Sequence, residues 1–197
     1  MGERHPEVLP ALIPIFLIGL ICSLLIYLTD ILTGERIDKN KQLAIVNIIE
    51  EVMPLTHNNT LYTDKIVVPE LSTTVYRARQ DNDNIGLVFM PISASGYNGN
   101  ITLAMGVSYE GIISGVRIID HHETHGLGDG IDQNNSDWIF NFDKRSLTNT
   151  LNEQWAVVGD GGNFDQLSGA TISPRAVIAA VKNTLNYHEL NRDVLYK

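Results

Sequence analysis

Residues 101–120 read ITLAMGVSYEGIISGVRIID. Two β-rich runs, Ile101–Tyr109 and Ile112–Asp120, flank Glu110-Gly111, and a short glycine-containing turn between two such runs is hairpin chemistry. Upstream, Thr73–Arg79 and Ile85–Ile92 repeat the pattern, with breaks at Asp81-Asn82-Asp83-Asn84 and across Ser93–Asn100. Runs of this length between turn residues predict an antiparallel meander. Downstream come a Gly- and Asp-rich loop, a short helix over Ser136-Asp137-Trp138-Ile139-Phe140 opened by a serine cap, and a short strand over Trp155–Val158. A last helix is expected from Pro174 to about Tyr187, with Ser173 as N-cap and Pro174 at the first helical position. Its apolar face is Val177, Ile178, Val181 and Leu185. The fold class is α+β, an antiparallel sheet flanked by helices.

The N-terminal end is different in kind. Leu9–Leu28 reads LPALIPIFLIGLICSLLIYL, a charge-free run of about 20 residues, enough to span a hydrocarbon core of about 30 Å as a helix. Pro10 and Pro14 fall in its first turns, and Tyr27 suits the far interface. A cleaved signal peptide has a shorter apolar region and a small-residue cleavage site, whereas Thr29-Asp30-Ile31-Leu32-Thr33-Gly34 follows here. A retained transmembrane anchor is the reading. Charge does not orient it: Arg4 stands on one side, Arg36, Lys39 and Lys41 on the other, and long domains translocate largely regardless of such charges. Ile37–Met53 then reads as an amphipathic helix, with Ile45, Ile48, Ile49, Val52 and Met53 at helical spacing, ended by Pro54. The expected organisation is a tail over 1–8, an anchor over 9–32, a linker helix over 33–54 and a domain over 55–197.

Composition excludes several functions. The chain has 14 Lys+Arg against 23 Asp+Glu, a formal net charge of −9 that disfavours nucleic acid as a partner. Cys22 is the sole cysteine, so an intrachain disulfide, a CxxC pair and an all-cysteine metal site are ruled out. No nucleophile elbow, phosphate loop or dinucleotide fingerprint occurs.

Two stretches carry chemistry. Asp165-Gln166-Leu167-Ser168-Gly169-Ala170-Thr171-Ile172-Ser173-Pro174 runs small and hydroxyl residues into a helix start, where free amides and the helix dipole favour a phosphate. The same pattern also serves as a plain helix cap. His121-His122-Glu123-Thr124-His125-Gly126-Leu127-Gly128 offers histidines to a metal, or a glycine turn to a flat ligand. The metal reading lacks a second ligand cluster, since His5, His57 and His188 are isolated. No base stands next to Thr171 in sequence, so a self-activated nucleophile is not indicated.

Together these stretches resemble a known family. Asp165-x-x-Ser168-Gly169-Ala170-Thr171 is similar to the flavinylation signature Asp-x-x-Ser/Thr-Gly-Ala-Thr of the FMN-binding domain family. That family holds the G subunit of the Rnf/Rsx electron transport complex and the C subunit of the Na⁺-pumping NADH:quinone reductase. Glu123-Thr124-His125-Gly126-Leu127-Gly128 resembles its Glu-Thr-Pro-Gly-Leu-Gly, with His125 in place of proline. The resemblance extends over the whole chain. It implies FMN held through a phosphoester to Thr171, with Glu123, Thr124, Gly126, Leu127, Gly128, Ser168, Gly169, Ala170 and Ser173 as cofactor-binding residues. It implies a flavin transferase for maturation, other subunits of a membrane electron transport complex as partners, and membrane lipid around the anchor. It implies a bacterial inner-membrane protein with its flavin domain in the periplasm. The chain would be an electron-carrying subunit of a ferredoxin:NAD oxidoreductase complex that moves ions, not a stand-alone enzyme. The alternatives are an anchored sensor or assembly module on the same fold, and a metal-binding protein using His121, His122 and His125.

Overall fold

The computed structural model describes residues 8–69, 73–81 and 83–197. Helix α1 spans Val8–Val52. The expected anchor and amphipathic helix are thus one continuous helix. Gly34 does not interrupt it; one interior glycine costs only about 1 kcal/mol. Side chains from Leu12 to Leu32 are largely exposed, as an apolar surface without a protein partner would be. Thr29 and Thr33 donate their hydroxyls to the carbonyls of Leu25 and Thr29, so neither adds an unpaired polar group to the apolar stretch. Among the described residues this is the helix long and apolar enough to cross a membrane, with a window of mean hydropathy 2.5.

Residues Ile45–Lys197 form a compact unit of their own. Its sheet contains β1 (Lys65–Val68), β2 (Thr73–Gln80), β3 (Asp83–Phe89), β4 (Ile92–Ser93), β5 (Ile101–Ser108) and β6 (Ile113–Asp120). All described pairings are antiparallel. Strands β2, β3, β5 and β6 make the predicted meander, with β1 along the edge of β2. The run read as Ile85–Ile92 divides at Met90-Pro91. Proline has no amide to donate there, and β4 instead pairs with β5 past the end of β3, Ile92 opposite Thr102. Gly111 turns the β5–β6 hairpin with φ 85°.

The sheet is buried on both faces. Ile101, Leu103, Met105 and Val107 of β5 point into the larger core, which they share with helix α2 (Ile172–Leu195). Ala104 faces the smaller core with Ile49 and Val52 from the last turn of α1 and Met53 just after it. Gly106 and Gly115, paired across β5 and β6, let that helix end lie on the strand backbone. A Cβ on Gly106 would stand 2.0 Å from the Val52 carbonyl oxygen. Ser114 donates to the same carbonyl at 2.5 Å, and Arg117 Nε holds Glu51 at 2.6 Å.

Helix α2 departs from expectation at both ends. It begins at Ile172 with Thr171 in the N-cap position, so Ser173 and Pro174 are its second and third residues, not its cap and first residue. All three lie where backbone amides lack helical partners, so proline fits at any of them. The helix continues past Tyr187 to Leu195 because the buried face carries on through His188 and Leu195 beneath a polar-looking sequence. The strand expected at Trp155–Val158 is reduced to a single bridge, Val157 to Phe164, followed by a 3₁₀ turn over Val158–Asp160. The short helix is a 3₁₀ helix, Trp138–Phe142, and the Ser136 hydroxyl does accept the Trp138 amide.

Candidate functional site

The irregular chain between β6 and α2 is held by aromatic packing. Phe142 and Phe164 lie with ring centroids 4.6 Å apart, and Trp138 and Trp155 pack around them. The Trp138 indole donates to the Asp165 carbonyl at 2.8 Å, fixing the first residue of the Asp165–Thr171 motif. The Asp165 side chain itself is exposed. From there Leu167–Ala170 closes a turn, the Ala170 amide on the Leu167 carbonyl at 3.0 Å, and Gly169 takes φ 75°. That left-handed residue delivers the chain into the first turn of α2.

The second motif folds into a turn beside it. The Leu127 amide donates to the Thr124 carbonyl at 3.1 Å, and Gly126 has φ 75°. Asp129 is buried within this turn. Its carboxyl accepts the Gly126 amide and approaches His125 Nδ1 at 2.6 Å, contacts that hold it below the usual carboxylate range. The histidines are dispersed: His121 Nε2 lies 3.6 Å from Asp132, His125 is on Asp129, and His122 is exposed. No group of three His, Cys, Asp or Glu side chains with metal-binding geometry occurs among the described residues.

A cavity of 630 Å³ lies between the two motifs. Glu123, Thr124, Leu127 and Gly128 line one side and Gly169, Ala170, Thr171 and Ser173 the other. Eight of the ten residues singled out in the sequence therefore meet at one place. Gly126 and Ser168 do not line it; each sits in the turn behind a lining residue. Sequence reasoning missed Tyr97, Ile172 and Arg175, which complete the walls. Arg175 was detectable, being four residues after Thr171 on a helix and so on the same face. Tyr97 had no such signal, because it reaches the site by sheet topology from the turn before β5.

Glu123 ties the walls together. It is 8% exposed; its Oε1 accepts the Asn98 amide at 3.2 Å and its Oε2 accepts the Ser173 hydroxyl. Asn98 also donates to Thr124 Oγ1 at 3.1 Å. Gly128 packs under this link: a Cβ there would stand 2.7 Å from Ser173 Oγ. Ser173 is thus occupied by Glu123, whereas the Thr171 hydroxyl makes no capping bond and lies on the cavity wall.

These features fit FMN. The volume is within the range of small-molecule sites, about 300–1,000 Å³. The walls combine apolar surface from Leu127 and Ile172, glycines that permit close approach, and a helix N-terminus with one cation, Arg175, for a phosphate.

Comparison with known proteins agrees. The FMN-binding domain family matches residues 96–186. The G subunit of the ion-translocating oxidoreductase complex of Pseudoalteromonas atlantica is 39% identical over 188 residues, 91% of this chain and 87% of that one. The protein of the same name from Vibrio parahaemolyticus is 39% identical over 86% of this chain and 83% of its own. A crystal structure of Shewanella oneidensis NqrC aligns with TM-score 0.44 and 21% identity over 58% of this chain and 61% of that one. By identity sustained along nearly its whole length, the chain belongs to the family of ion-translocating oxidoreductase complex G subunits.

Proposed function

We propose that this chain is a membrane-anchored flavoprotein subunit that carries FMN on Thr171 through a phosphoester and relays electrons within an ion-translocating ferredoxin:NAD oxidoreductase complex. The observation that carries the reading is the Thr171 hydroxyl, uncapped on the wall of a flavin-sized cavity, beside a neighbouring hydroxyl that is already engaged. Bound FMN would supply reversible electron transfer at its ring, and a link through its phosphate leaves that ring chemically free. The chain's own residues orient it: Glu123 and Gly128 set the spacing between the walls, and Leu127 and Ile172 offer apolar contact.

Glu123, the carboxylate on the cavity wall, is bonded to Ser173 and Asn98 and so is not free to activate Thr171. Attachment is therefore assigned to a separate transferase acting with a flavin dinucleotide. The Thr171 oxygen forms a bond to the flavin-side phosphorus, the pyrophosphate bridge breaks, AMP leaves, and the hydroxyl proton passes to the transferase. Helix α1 anchors the chain in lipid at the inner membrane, with the domain in the periplasm and the complex's other subunits as electron partners.

The test is in-gel flavin fluorescence with intact mass, after co-expression with the transferase. Wild type is expected to fluoresce in denaturing gels and to be heavier by one FMN less one water. Thr171→Ala is expected to be dark yet folded, because this hydroxyl makes no capping bond and its loss costs at most about 1 kcal/mol. A dark wild-type band with active transferase overturns the reading and favours an anchored binding or assembly module.

A further inference from the structure

Arg175 lies one helical turn beyond Thr171, its amide directed at the Thr171 carbonyl at 3.4 Å. Its side chain lines the same cavity, where it is the only lysine or arginine among the lining residues. The guanidinium is already held: Nε and Nη2 each donate to a different oxygen of Asp160 at 2.7 Å. Asp160 ends the 3₁₀ turn Val158–Asp160, which the Val157–Phe164 bridge fastens to the aromatic cluster. Arg175 is therefore pinned from outside the helix.

A guanidinium has five N–H donors in a rigid plane. Asp160 takes the Nε–Nη2 edge, one donor from each nitrogen. The Nη1–Nη2 edge remains, and such an edge matches two oxygens of a phosphate. Neutralising the side chain with Asp160 does not abolish this, because the hydrogen-bond fork survives. It does lower the long-range attraction for unrelated anions, so recognition becomes local.

We infer that Arg175, positioned by Asp160, is the residue of this chain that recognises the flavin phosphate, both as it is delivered to Thr171 and once it is esterified there. This rests on the proposed attachment at Thr171. Arg175 is a binding residue in this scheme, and Asp160 a positioning residue that acts through it.

The experiment uses the full chain in detergent with purified flavin transferase, flavin adenine dinucleotide and Mg²⁺. In-gel fluorescence is followed over time for wild type, Thr171→Ala, Arg175→Gln, Arg175→Lys and Asp160→Asn. Phosphorus NMR of the finished, attached phosphodiester is the second readout. Loss of a charge-assisted fork is expected to slow initial labelling of Arg175→Gln by about tenfold or more. Arg175→Lys and Asp160→Asn should fall between it and wild type. After prolonged labelling, the phosphorus resonance of all three should be displaced from the wild-type position. Wild-type rates and an unmoved resonance in Arg175→Gln overturn the inference. If Arg175→Gln loses its circular dichroism, the same result in both Arg175→Lys and Asp160→Asn overturns it. A purely structural Arg175 would lower the melting temperature of labelled and unlabelled chains alike and leave the resonance in place. A dark wild type overturns the attachment reading instead, so the two failures are distinct.

Discussion

Replacing Glu123 by alanine and by glutamine separates its geometric role from its charge. In the native site its carboxylate accepts two hydrogen bonds, from the Asn98 amide and from the Ser173 hydroxyl. Ser173 is 1% exposed, so alanine leaves its hydroxyl without a partner that water can replace. Each buried donor left unmade costs about 1–3 kcal/mol, and Asn98, on an exposed turn, belongs at the low end. The sum is about 2–4 kcal/mol, a large fraction of a total of roughly 5–15 kcal/mol. At about 2–4 °C per kcal/mol for a domain of this size, Glu123→Ala should melt roughly 5–15 °C lower. Glutamine keeps part of this. Its carbonyl takes the Asn98 amide and its NH₂ can donate to Ser173 Oγ, but the rotated hydroxyl proton then loses its acceptor. With the site still filled and Oγ still partnered, the loss is about 1–2 kcal/mol, smaller than that of alanine. Thermal melting of the unlabelled full chain in detergent, followed by near-UV circular dichroism, measures both. If glutamine is as damaging as alanine, or alanine is neutral, Glu123 does not link the walls in the way described.

Gly128→Ala should be disruptive at the same place, because its Cβ would press on Ser173 Oγ at 2.7 Å and Glu123 Oε2 at 2.8 Å. Both are buried, so overpacking of about 1–3 kcal/mol is expected, with slower flavin labelling; normal labelling and an unchanged melting point would show that the link can move aside. His188 predicts a pH dependence remote from the site. It is fully buried, its Nδ1 has no hydrogen-bond partner among the described residues, and burial, with Arg192 nearby, depresses its pKa from 6.5 to about 4. The unfolded chain then takes up a proton first as pH falls, so this stability is complete above about 6.5 and lost between there and 4. The window corresponds to about 3 kcal/mol. Denaturant unfolding between about pH 7 and 4 should show that slope in wild type and its loss in His188→Gln; equal slopes would assign the acid sensitivity to other groups.

What was legible in the sequence had local causes. The strands announced themselves because β-branched runs alternate with Asp, Asn and Gly turns, and the paired registers follow from short connections. Thr171 and Glu123 were legible as members of motifs. The misreadings occurred where tertiary contacts outweighed local signals. Trp155–Val158 is apolar enough for a strand, but Trp155 and Val157 go to the core around the aromatic cluster and leave one bridge. The polar segment after Tyr187 reads as the end of a helix, yet His188 and Leu195 pack inward. Ser173 has the composition of a cap, but a buried carboxylate 50 positions away claims its hydroxyl and shifts the cap to Thr171. No pattern within one segment encodes a partner that topology brings from another.

That shift bears on function. A threonine capping its own helix would have its oxygen occupied by a backbone amide, and a reacting phosphate would have to displace it. Here the Thr171 hydroxyl makes no capping bond, and Glu123 draws the adjacent hydroxyl away. The two hydroxyls of Thr171-Ile172-Ser173 are thereby given different tasks, one binding the walls together and one facing the cavity. On the proposed reading, this also explains walls that expose so much apolar surface: Tyr97 is 67% and Leu127 45% exposed. A flavin fixed at Thr171 is present at a high effective concentration whatever the walls contribute. The walls then need only orient the ring, and an open, weakly holding site leaves its edge within reach of redox partners. A site that had to retain FMN by affinity alone would have to close over it.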